Sequence, residues 1–277
     1  MSSRKAGSEL GLRIASALVL GVLVLGITVL GGGAFRLFAA VMAMLVFHEW
    51  MAMRTSGHPT NRLVAWVLLA AVMLAMLVGL SAPLSLAALG AAFAVVAAHA
   101  MFSGSSGWSA AGLIYAGLPA IALAFLRVAD TAGLMAILFL FAVVWATDVA
   151  AFFVGRALGG PRLAPAISPG KTWSGAIGGA LGGLAAGLAV AGFDSGGPAL
   201  LWGGLVALAL SVVSQAGDLF ESALKRRHGV KDSGRLIPGH GGVMDRVDGL
   251  VAAALLFYLL GALLSGPNTP AAAFFSR

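Results

Sequence analysis

The sequence contains no cysteine and few charged residues, and both absences limit the chemistry open to the chain. Without cysteine it forms no disulfide, has no thiolate nucleophile and holds no metal through a cysteine thiolate. Only 10% of its 277 residues are Asp, Glu, Lys or Arg, whereas a soluble domain has ~25%. Because 60% are hydrophobic as well, no part of the chain is expected to be a separate soluble domain.

Apolar runs of about 17–20 residues recur along the chain, and a helix of that length crosses ~30 Å of hydrocarbon. We predict an all-α, polytopic transmembrane helical bundle that forms a single integral membrane domain over residues 1–277. Its N-terminal spans lie within 14–126, and its C-terminal part, 134–264, carries the polar chemistry described below. The first run follows a basic start, as in a signal peptide, but lacks a convincing cleavage site, so we interpret it as a retained helix. The nine predicted spans are Ile14–Leu30, Ala34–Met53, Leu63–Leu80, Leu84–Phe102, Ala110–Leu126, Leu134–Phe153, Gly175–Gly192, Ala199–Leu219 and Val247–Leu264.

The distribution of basic residues predicts the orientation of these spans. A net charge of +7 would suggest a nucleic-acid partner in a soluble protein, but here the cations lie in loops and we expect no nucleic acid. With a cytoplasmic N-terminus, alternating spans place fourteen of the 17 Lys and Arg residues on the cytoplasmic side. The positive-inside rule favours this arrangement.

Two loops on that predicted cytoplasmic side carry the polar chemistry: Gly155–Ser174, and the segment between spans eight and nine. Together with the adjoining ends of spans eight and nine, the second loop forms the segment Asp218–Asp248. This segment holds eleven of the 27 charged residues. Charges this dense beside lipid-buried helices are costly, so a functional site is the default hypothesis.

Acids lie at both ends of the second segment. Asp245 and Asp248 are three residues apart and share one face at the start of span nine. Carboxylates there either stabilise the positive end of the helix, or join Asp218 from span eight in an all-oxygen site. Such a site suits Mg²⁺, which usually takes one or two carboxylates together with water and substrate phosphate.

Helical spacing also predicts a polar face at the end of span eight. Asp218, Glu221, Ser222 and Lys225 follow the pattern i, i+3, i+4, i+7, so they line one face if the span continues as a helix. The cations that follow are suited to phosphate, since Arg binds it bidentately and Lys as a point charge. Their alternative role is contact with anionic lipid headgroups. These cations are Lys225, Arg226, Arg227, Lys231 and Arg235.

A glycine-rich turn, Pro238–Gly242, separates the cations from the second pair of acids. Glycines permit close approach to the backbone, and successive backbone N–H groups bind anions. Gly241 and Gly242 are therefore candidate contacts for substrate phosphate. His240 is interpreted either as a further phosphate contact or as an exposed loop residue.

The first loop adds two candidate residues. Asp148 lies deep in span six, where a carboxylate needs a partner: Arg156, a lysine, or the metal and phosphate of the same site. Lys171 follows a glycine as in a P-loop, but Pro165 stands where that motif requires glycine, so we reject the assignment. Lys171 remains a candidate phosphate ligand.

Other features in the sequence have structural interpretations. Ser168 or Thr172 is a candidate cap of the next helix. Glu49, late in span two, is not expected to have a direct role, and Trp50 beside it resembles an interfacial anchor. Glycines spaced four apart in span seven favour close helix packing, with a dimer face as the alternative. They are Gly179, Gly183 and Gly187.

The second segment resembles the signature of the phosphatidate cytidylyltransferases, also called CDP-diacylglycerol synthases: S-x-x-K-R-x4-K-D-x-[small]-x2-[apolar]-P-x-H-G-G-x-x-D-R-x-D. Every fixed position of this pattern is matched over 27 residues. The lead-in Gly217-Asp218-Leu219 and parts of the first loop are similar too, although Gly170 and Ser174 depart from the residues frequent in the family. The matched residues are Ser222, Lys225, Arg226, Lys231, Asp232, Gly234, Ile237, Pro238, His240, Gly241, Gly242, Asp245, Arg246 and Asp248.

The resemblance implies that CTP and phosphatidic acid react to give CDP-diacylglycerol and pyrophosphate at the cytoplasmic face of a bacterial inner membrane. It implies Mg²⁺ held at Asp218 and Asp245, a second cation such as K⁺, and a homodimer. The implied catalytic residues are Asp218, Asp245, Asp248, Lys225 and Lys171. The implied substrate-binding residues are Arg226, Lys231, Asp148, Ser222, His240, Gly241, Gly242 and Arg246.

Alternatives remain at this point. A CTP-dependent lipid-alcohol kinase or a related lipid nucleotidyltransferase would use similar groups. A membrane transporter would too, but transporter sites lie near the midplane and often between internal repeats. In this sequence the charged residues are concentrated on one predicted side of the membrane. The CDP-alcohol phosphotransferases are not supported, because no Arg follows Asp248-Gly249 as their motif requires.

Overall fold

The structure is a computed structural model that describes residues 2–54, 58–194, 198–237 and 241–275. Over these ranges it contains nine α-helices, two short strands and a final 3₁₀ turn. The helices are α1 Ser2–Leu30, α2 Gly32–Met53, α3 Pro59–Leu77, α4 Ala82–Phe102, α5 Trp108–Leu126, α6 Thr131–Leu158, α7 Trp173–Asp194, α8 Pro198–Arg227 and α9 Met244–Ser265. The strands are β1 Arg162–Ala164 and β2 Ser168–Thr172, and the 3₁₀ turn is Pro270–Ala273.

The helices confirm a polytopic helical membrane protein. Eight of those described, α2 to α9, are long and apolar enough to cross a bilayer. The first predicted span, Ile14–Leu30, corresponds to α1, whose described apolar part, Ser16–Leu30, is shorter. Large apolar side chains such as Phe102 and Leu263 are 93% and 83% exposed. Exposure on this scale is costly in water but suits a surface solvated by lipid. The cytoplasmic position of the N-terminus stays a prediction.

Two helices extend beyond the spans that hydropathy marks. Span six was expected to end at Phe153, but α6 continues to Leu158, and span eight was expected to end at Leu219, but α8 continues to Arg227. Hydropathy marks only the lipid-buried part of a helix, so the polar extensions escape it. The extension of α8 confirms that Asp218–Lys225 lie on one continuous helix.

The chain divides into two compact units, and each is described here by itself. The first comprises the residues up to Ala120 together with Val230–Arg246, and the second comprises Ile121–Gly229 and the chain from Val247 onward. The loop that follows α8 therefore groups with the N-terminal helices. The predicted division into N-terminal spans and a catalytic C-terminal part did not anticipate this grouping.

In the first unit, two tryptophans join the end of α2 to the start of α5. The indole N–H of Trp50 donates to the carbonyl of Trp108 at 3.0 Å, and that of Trp108 donates to the carbonyl of Trp50 at 3.1 Å. Their rings stack with centroids 4.4 Å apart. Trp50 is buried, so its predicted role as an interfacial anchor is wrong: its N–H is satisfied by the neighbouring helix instead of by the headgroup region.

In the second unit, the glycines of α7 pack against α6 and α8. A Cβ on Gly179 would lie 2.9 Å from the Thr147 carbonyl oxygen, and one on Gly183 would meet the side chains of Thr147 and Ser211. Those two hydroxyl groups lie 2.6 Å apart in a hydrogen bond. The glycines confirm close helix packing, and because they face neighbours in the same chain they do not support a dimer face.

The segment between α6 and α7 forms an antiparallel hairpin, where the sequence predicted a loop. Arg162 pairs with Thr172, and Ala164 pairs with Ser168. Strands this short have no apolar alternation, so periodicity does not reveal them. Thr172 accepts a hydrogen bond from the Gly175 N–H at 3.1 Å, which confirms it as the cap of α7, while Ser168 lies in β2 instead.

Candidate functional site

The predicted site residues fall into two groups, one in each compact unit. The group in the second unit comes from α6, β2, α8 and the part of α9 that follows its first turn. Its members are Asp148, Lys171, Asp218, Ser222, Lys225, Arg226 and Asp248.

A close crossing of α8 and α9 organises this group. A Cβ on Gly217 would lie 2.7 Å from the Ala252 side chain and 2.8 Å from the Asp248 carbonyl oxygen. One on Gly249 would lie 3.0 Å from the Ser214 carbonyl oxygen. Only glycine permits helix backbones to approach this closely. Since Asp218 follows Gly217 and Asp248 precedes Gly249, the crossing brings the two acids to the same place.

Three further charged groups act on Asp248. Asp218, Asp148 and Lys225 all lie close enough to its carboxyl group to interact with it electrostatically. Asp248 also accepts a hydrogen bond from the Gly249 N–H at 2.7 Å. The structure therefore brings together three acids that lie 30 to 100 positions apart in the sequence and on three helices, as well as the cation of Lys225.

Asp218 is held by residues from two elements. Lys171 of β2 forms an ion pair with it, and Ser222 donates a hydrogen bond to its Oδ1 at 3.3 Å. The paired Lys171 and Asp218 side chains are 28% and 29% exposed. An ion pair that is partly solvated contributes little net energy, so its members can exchange partners at small cost.

A second ion pair lies one turn further along α8. Lys225 Nζ is 3.1 Å from Glu221 Oε1, and Glu221 is completely buried. The sequence placed Glu221 on this helix face and assigned it no role. Its carboxylate restrains the ammonium group that also acts on Asp248.

Arg226 connects α8 to the hairpin. Its Nε donates to the Ile167 carbonyl oxygen at 3.3 Å, in the turn between β1 and β2. The hairpin is thus attached to α8 at two points, through Arg226 and through Lys171. The implied role of Arg226 in substrate binding stays a prediction.

The group in the first unit surrounds the start of α9. Its predicted members are Lys231, Gly241, Gly242, Asp245 and Arg246, of which Lys231 and Arg246 are exposed. His240 lies outside the described residues, so neither interpretation of it is tested.

Asp245 holds two stretches of backbone. Ser233 N–H donates to both of its oxygens, at 3.0 and 3.2 Å, and Gly242 N–H donates to Oδ2 at 2.9 Å. Asp245 also lies in the first turn of α9. The alternative interpretation, in which this acid stabilises the helix start, is therefore supported for Asp245, and it does not exclude a role toward substrate.

Glu49 of α2 lies in the same cluster, although the sequence predicted no direct role for it. It is 1% exposed, and its carboxylate accepts hydrogen bonds at 2.8 Å from Ser233 Oγ, Val243 N–H and Met244 N–H. A Cβ on either Gly234 or Gly242 would collide with this carboxylate. One signal was available in the sequence: an acid at the end of an apolar span needs a partner, which is the argument applied to Asp148.

The backbone at the end of the glycine-rich turn and after it binds carboxylates of the protein itself. Three successive N–H groups, at Gly242, Val243 and Met244, point at the carboxylates of Asp245 and Glu49. Successive N–H groups at a helix start form an anion-binding concavity. Whether Gly241 and Gly242 also contact substrate phosphate stays a prediction.

Among the described residues, no group of three His, Asp or Glu side chains is placed to hold a metal ion. Mg²⁺ needs only one or two carboxylates, because water and substrate phosphate supply the other oxygens. The neighbouring acids Asp218 and Asp248 meet that requirement in the second unit. Their donor chemistry therefore fits magnesium.

Comparison with known proteins agrees with the signature. A family model described as "Cytidylyltransferase family" matches residues 11–264. The phosphatidate cytidylyltransferase of Brucella suis is 50% identical over 273 residues, which cover 97% of this chain and 99% of the relative. Those of Haemophilus influenzae and Bacillus subtilis are 46% identical over 129 residues and 43% identical over 143 residues; each alignment covers about half of either chain. The chain belongs to the cytidylyltransferase family, and within it to the phosphatidate cytidylyltransferases.

Proposed function

We propose that this chain transfers the cytidylyl group of CTP to phosphatidic acid and releases pyrophosphate. The observation that carries the proposal is the group of acids and cations at the crossing of α8 and α9, where Asp218 and Asp248 meet Lys171 and Lys225. Relatives of nearly full-length similarity are named for this activity.

The reaction needs charge compensation more than it needs a base. A phosphate oxygen of phosphatidic acid attacks the α-phosphorus of CTP; a new P–O bond forms, and the bond to the β-phosphate oxygen breaks. The attacking oxygen is already anionic, so no residue has to remove a proton from it. The difficulty is repulsion between anions, which fixed cations near the reacting phosphates reduce. Lys171 and Lys225 are the cations that the chain offers beside its acids.

We propose Asp218 as a magnesium ligand, with Asp248 beside it. When bound, Mg²⁺ supplies charge neutralisation and orientation of the phosphates. Asp148, which also interacts electrostatically with Asp248, is a supporting candidate in the same group. Asp245 stays the second ligand that the family resemblance implies, and a second cation such as K⁺ is a further part of the proposal.

In this proposal the exchange of partners at Asp218 is a central step. Asp218 would hold the metal ion, and Lys171, now paired with that carboxylate, would then be available to the phosphates of the nucleotide. The partial exposure of both side chains keeps the cost of that exchange low. Ser222 retains the carboxylate orientation through its hydrogen bond.

The remaining assignments follow the family. Arg226, Lys231 and Arg246 are proposed to contact substrate phosphate, as are Gly241, Gly242 and His240. We also propose a homodimer in a bacterial inner membrane, with the site at the cytoplasmic face. The bacterial origin of the relatives and the distribution of Lys and Arg support this location.

The purified protein, supplied with CTP, phosphatidic acid and Mg²⁺, tests the proposal directly. We expect CDP-diacylglycerol and pyrophosphate in equal amounts, and much slower product formation with ATP, GTP or UTP. Pyrophosphate without CDP-lipid would contradict the proposal. Phosphorylation of a lipid alcohol by CTP would favour the kinase alternative, and solute uptake by proteoliposomes would favour a transporter.

A further inference from the structure

Glu49 and Asp245 bind the same two stretches of chain from opposite ends of the sequence. Ser233 donates its N–H to Asp245 and its hydroxyl group to Glu49. Ten residues later, Gly242 N–H donates to Asp245, while Val243 and Met244 N–H donate to Glu49. The two carboxylates thus share the Ser233 donors and accept from three successive backbone N–H groups at the start of α9.

The surroundings of Glu49 indicate an acceptor fixed in one position. Both of its oxygens accept hydrogen bonds, and hydrogen bonds to an ionised carboxylate are about twice as strong as neutral ones. Gly234 and Gly242 close around the carboxylate so tightly that neither position has room for a Cβ. With 1% exposure, the side chain is out of reach of a substrate.

We propose that Glu49 is a positioning residue for the reaction: its carboxylate fixes Ser233 and the N-terminus of α9, and so sets the orientation of Asp245. This inference rests on the proposed role of Asp245. It assigns α2, in the N-terminal half of the chain, a part in the site as well as in the membrane. The link is indirect, since Glu49 binds the Ser233 hydroxyl group and the N–H groups of Val243 and Met244 and not the reacting groups.

Glu49→Gln tests the link, because glutamine keeps the shape and removes both the charge and one acceptor oxygen. One of the three donors would then face an amide N–H and lose its partner. We expect kcat to fall roughly tenfold or more, with the KM for CTP changed less than about threefold, the pattern for loss of an interaction that matters in the transition state.

A second readout does not depend on activity. Lys231 and Arg235 are exposed trypsin sites in the loop that Glu49 holds. We expect limited trypsin to cut there several times faster in Glu49→Gln than in the wild type, while the thermal unfolding midpoint in detergent changes by only a few degrees. A purely global destabilisation would speed cleavage at all sites alike.

Ser233→Ala is the matched variant, because it removes one donor to Glu49 and leaves the two backbone donors in place. It should show a smaller loss of kcat and of loop protection. Combined with Glu49→Gln it should add less than its own effect, since both changes break the same hydrogen bond. If Glu49→Gln cannot be purified in folded form, Ser233→Ala alone decides: unchanged loop protection would overturn the inference.

Asp245→Asn, assayed in parallel, separates this inference from the proposed function. Suppose that Asp245→Asn is inactive, while Glu49→Gln keeps the kcat and the trypsin protection of the wild type. This result would overturn the role of Glu49 and leave the proposed reaction unaffected. Fully active Asp245→Asn would remove Asp245 from the site, and with it the positioning role. Reduced activity in both variants, with faster loop cleavage only around Lys231 and Arg235, is the result we expect.

Discussion

Lys171 of β2 and Asp218 of α8 form an ion pair, although the sequence assigns one to phosphate and the other to a metal. The two roles are compatible if each residue leaves the other when its ligand arrives. The pair also explains why the hairpin between α6 and α7 matters: it carries the cation that balances the acid on α8.

Lys171→Ala should lower kcat/KM at least roughly a hundredfold, mostly through a higher KM for CTP, because a phosphate-binding cation is lost. Asp218 would lose its counter-charge at the same time, so the Mg²⁺ concentration that gives half-maximal activity should fall or stay constant. Steady-state rates over a range of CTP and Mg²⁺ concentrations measure both effects. Arg162→Ala removes an exposed cation from the same hairpin and should keep its activity within about twofold.

Asp245→Asn should abolish turnover while the protein stays folded in detergent. The asparagine retains one oxygen for the N–H groups of Ser233 and Gly242, so the loss of stability should be about 1–2 kcal/mol. Product formation and the thermal unfolding midpoint are the measurements. Asp130→Asn, at the N-cap of α6, is the control, because asparagine caps a helix about as well as aspartate. Substantial activity in Asp245→Asn would count against its assignment.

Removal of divalent metal should abolish product formation, and added Mg²⁺ should restore it. Asp218→Asn weakens the proposed ligand, so it should raise the Mg²⁺ concentration required for half-maximal rate by roughly tenfold or more. Rates over a series of free Mg²⁺ concentrations set with EDTA provide the test. Full activity in excess EDTA would show that the reaction needs no divalent ion.

Gly217→Ala should destabilise the protein and reduce activity together. Its Cβ would lie 2.7 Å from the Ala252 side chain and 2.8 Å from the Asp248 carbonyl oxygen, so α8 and α9 have to move apart at the acids. We expect a loss of about 1–3 kcal/mol, typical of overpacking. Gly90→Ala is the matched control: this glycine of α4 has open space around it, and alanine there should be neutral or stabilise by up to ~1 kcal/mol. Equal unfolding midpoints for the two variants would contradict the proposed crossing.

The sequence predicts those parts of the fold that depend on a local pattern of residues. Each predicted span has a helix in the structure, because a run of apolar residues long enough to cross a bilayer has few other stable conformations. The site acids were predictable for a related reason: a carboxylate within such a run is expensive, and Asp148 and Asp248 stand out. The shared face of Asp218 and Lys225 could be predicted only on the assumption that α8 continues as a helix beyond its apolar run. That continuation depends on contacts outside the membrane.

Contacts between distant residues were not predictable in the same way. The hairpin of β1 and β2 has too few residues for a periodic pattern, and its attachment to α8 depends on Lys171 and Arg226 meeting partners 47 and 59 positions away. Glu49 was expected to have no direct role, and its neighbours in the sequence do not identify its partners. Its donors lie 184 to 195 positions further along the chain.

By itself, then, the sequence determined the class of protein, the approximate spans and the residues available for chemistry on phosphate. These follow from composition and from spacing within single helices, which local physics controls. Only the tertiary structure decided which residues are partners: Lys171 with Asp218, Lys225 with Glu221, and Ser233 with both Glu49 and Asp245. Buried donors and acceptors must be paired wherever the chain brings them together, and that pairing is a property of the packed helices rather than of any segment alone.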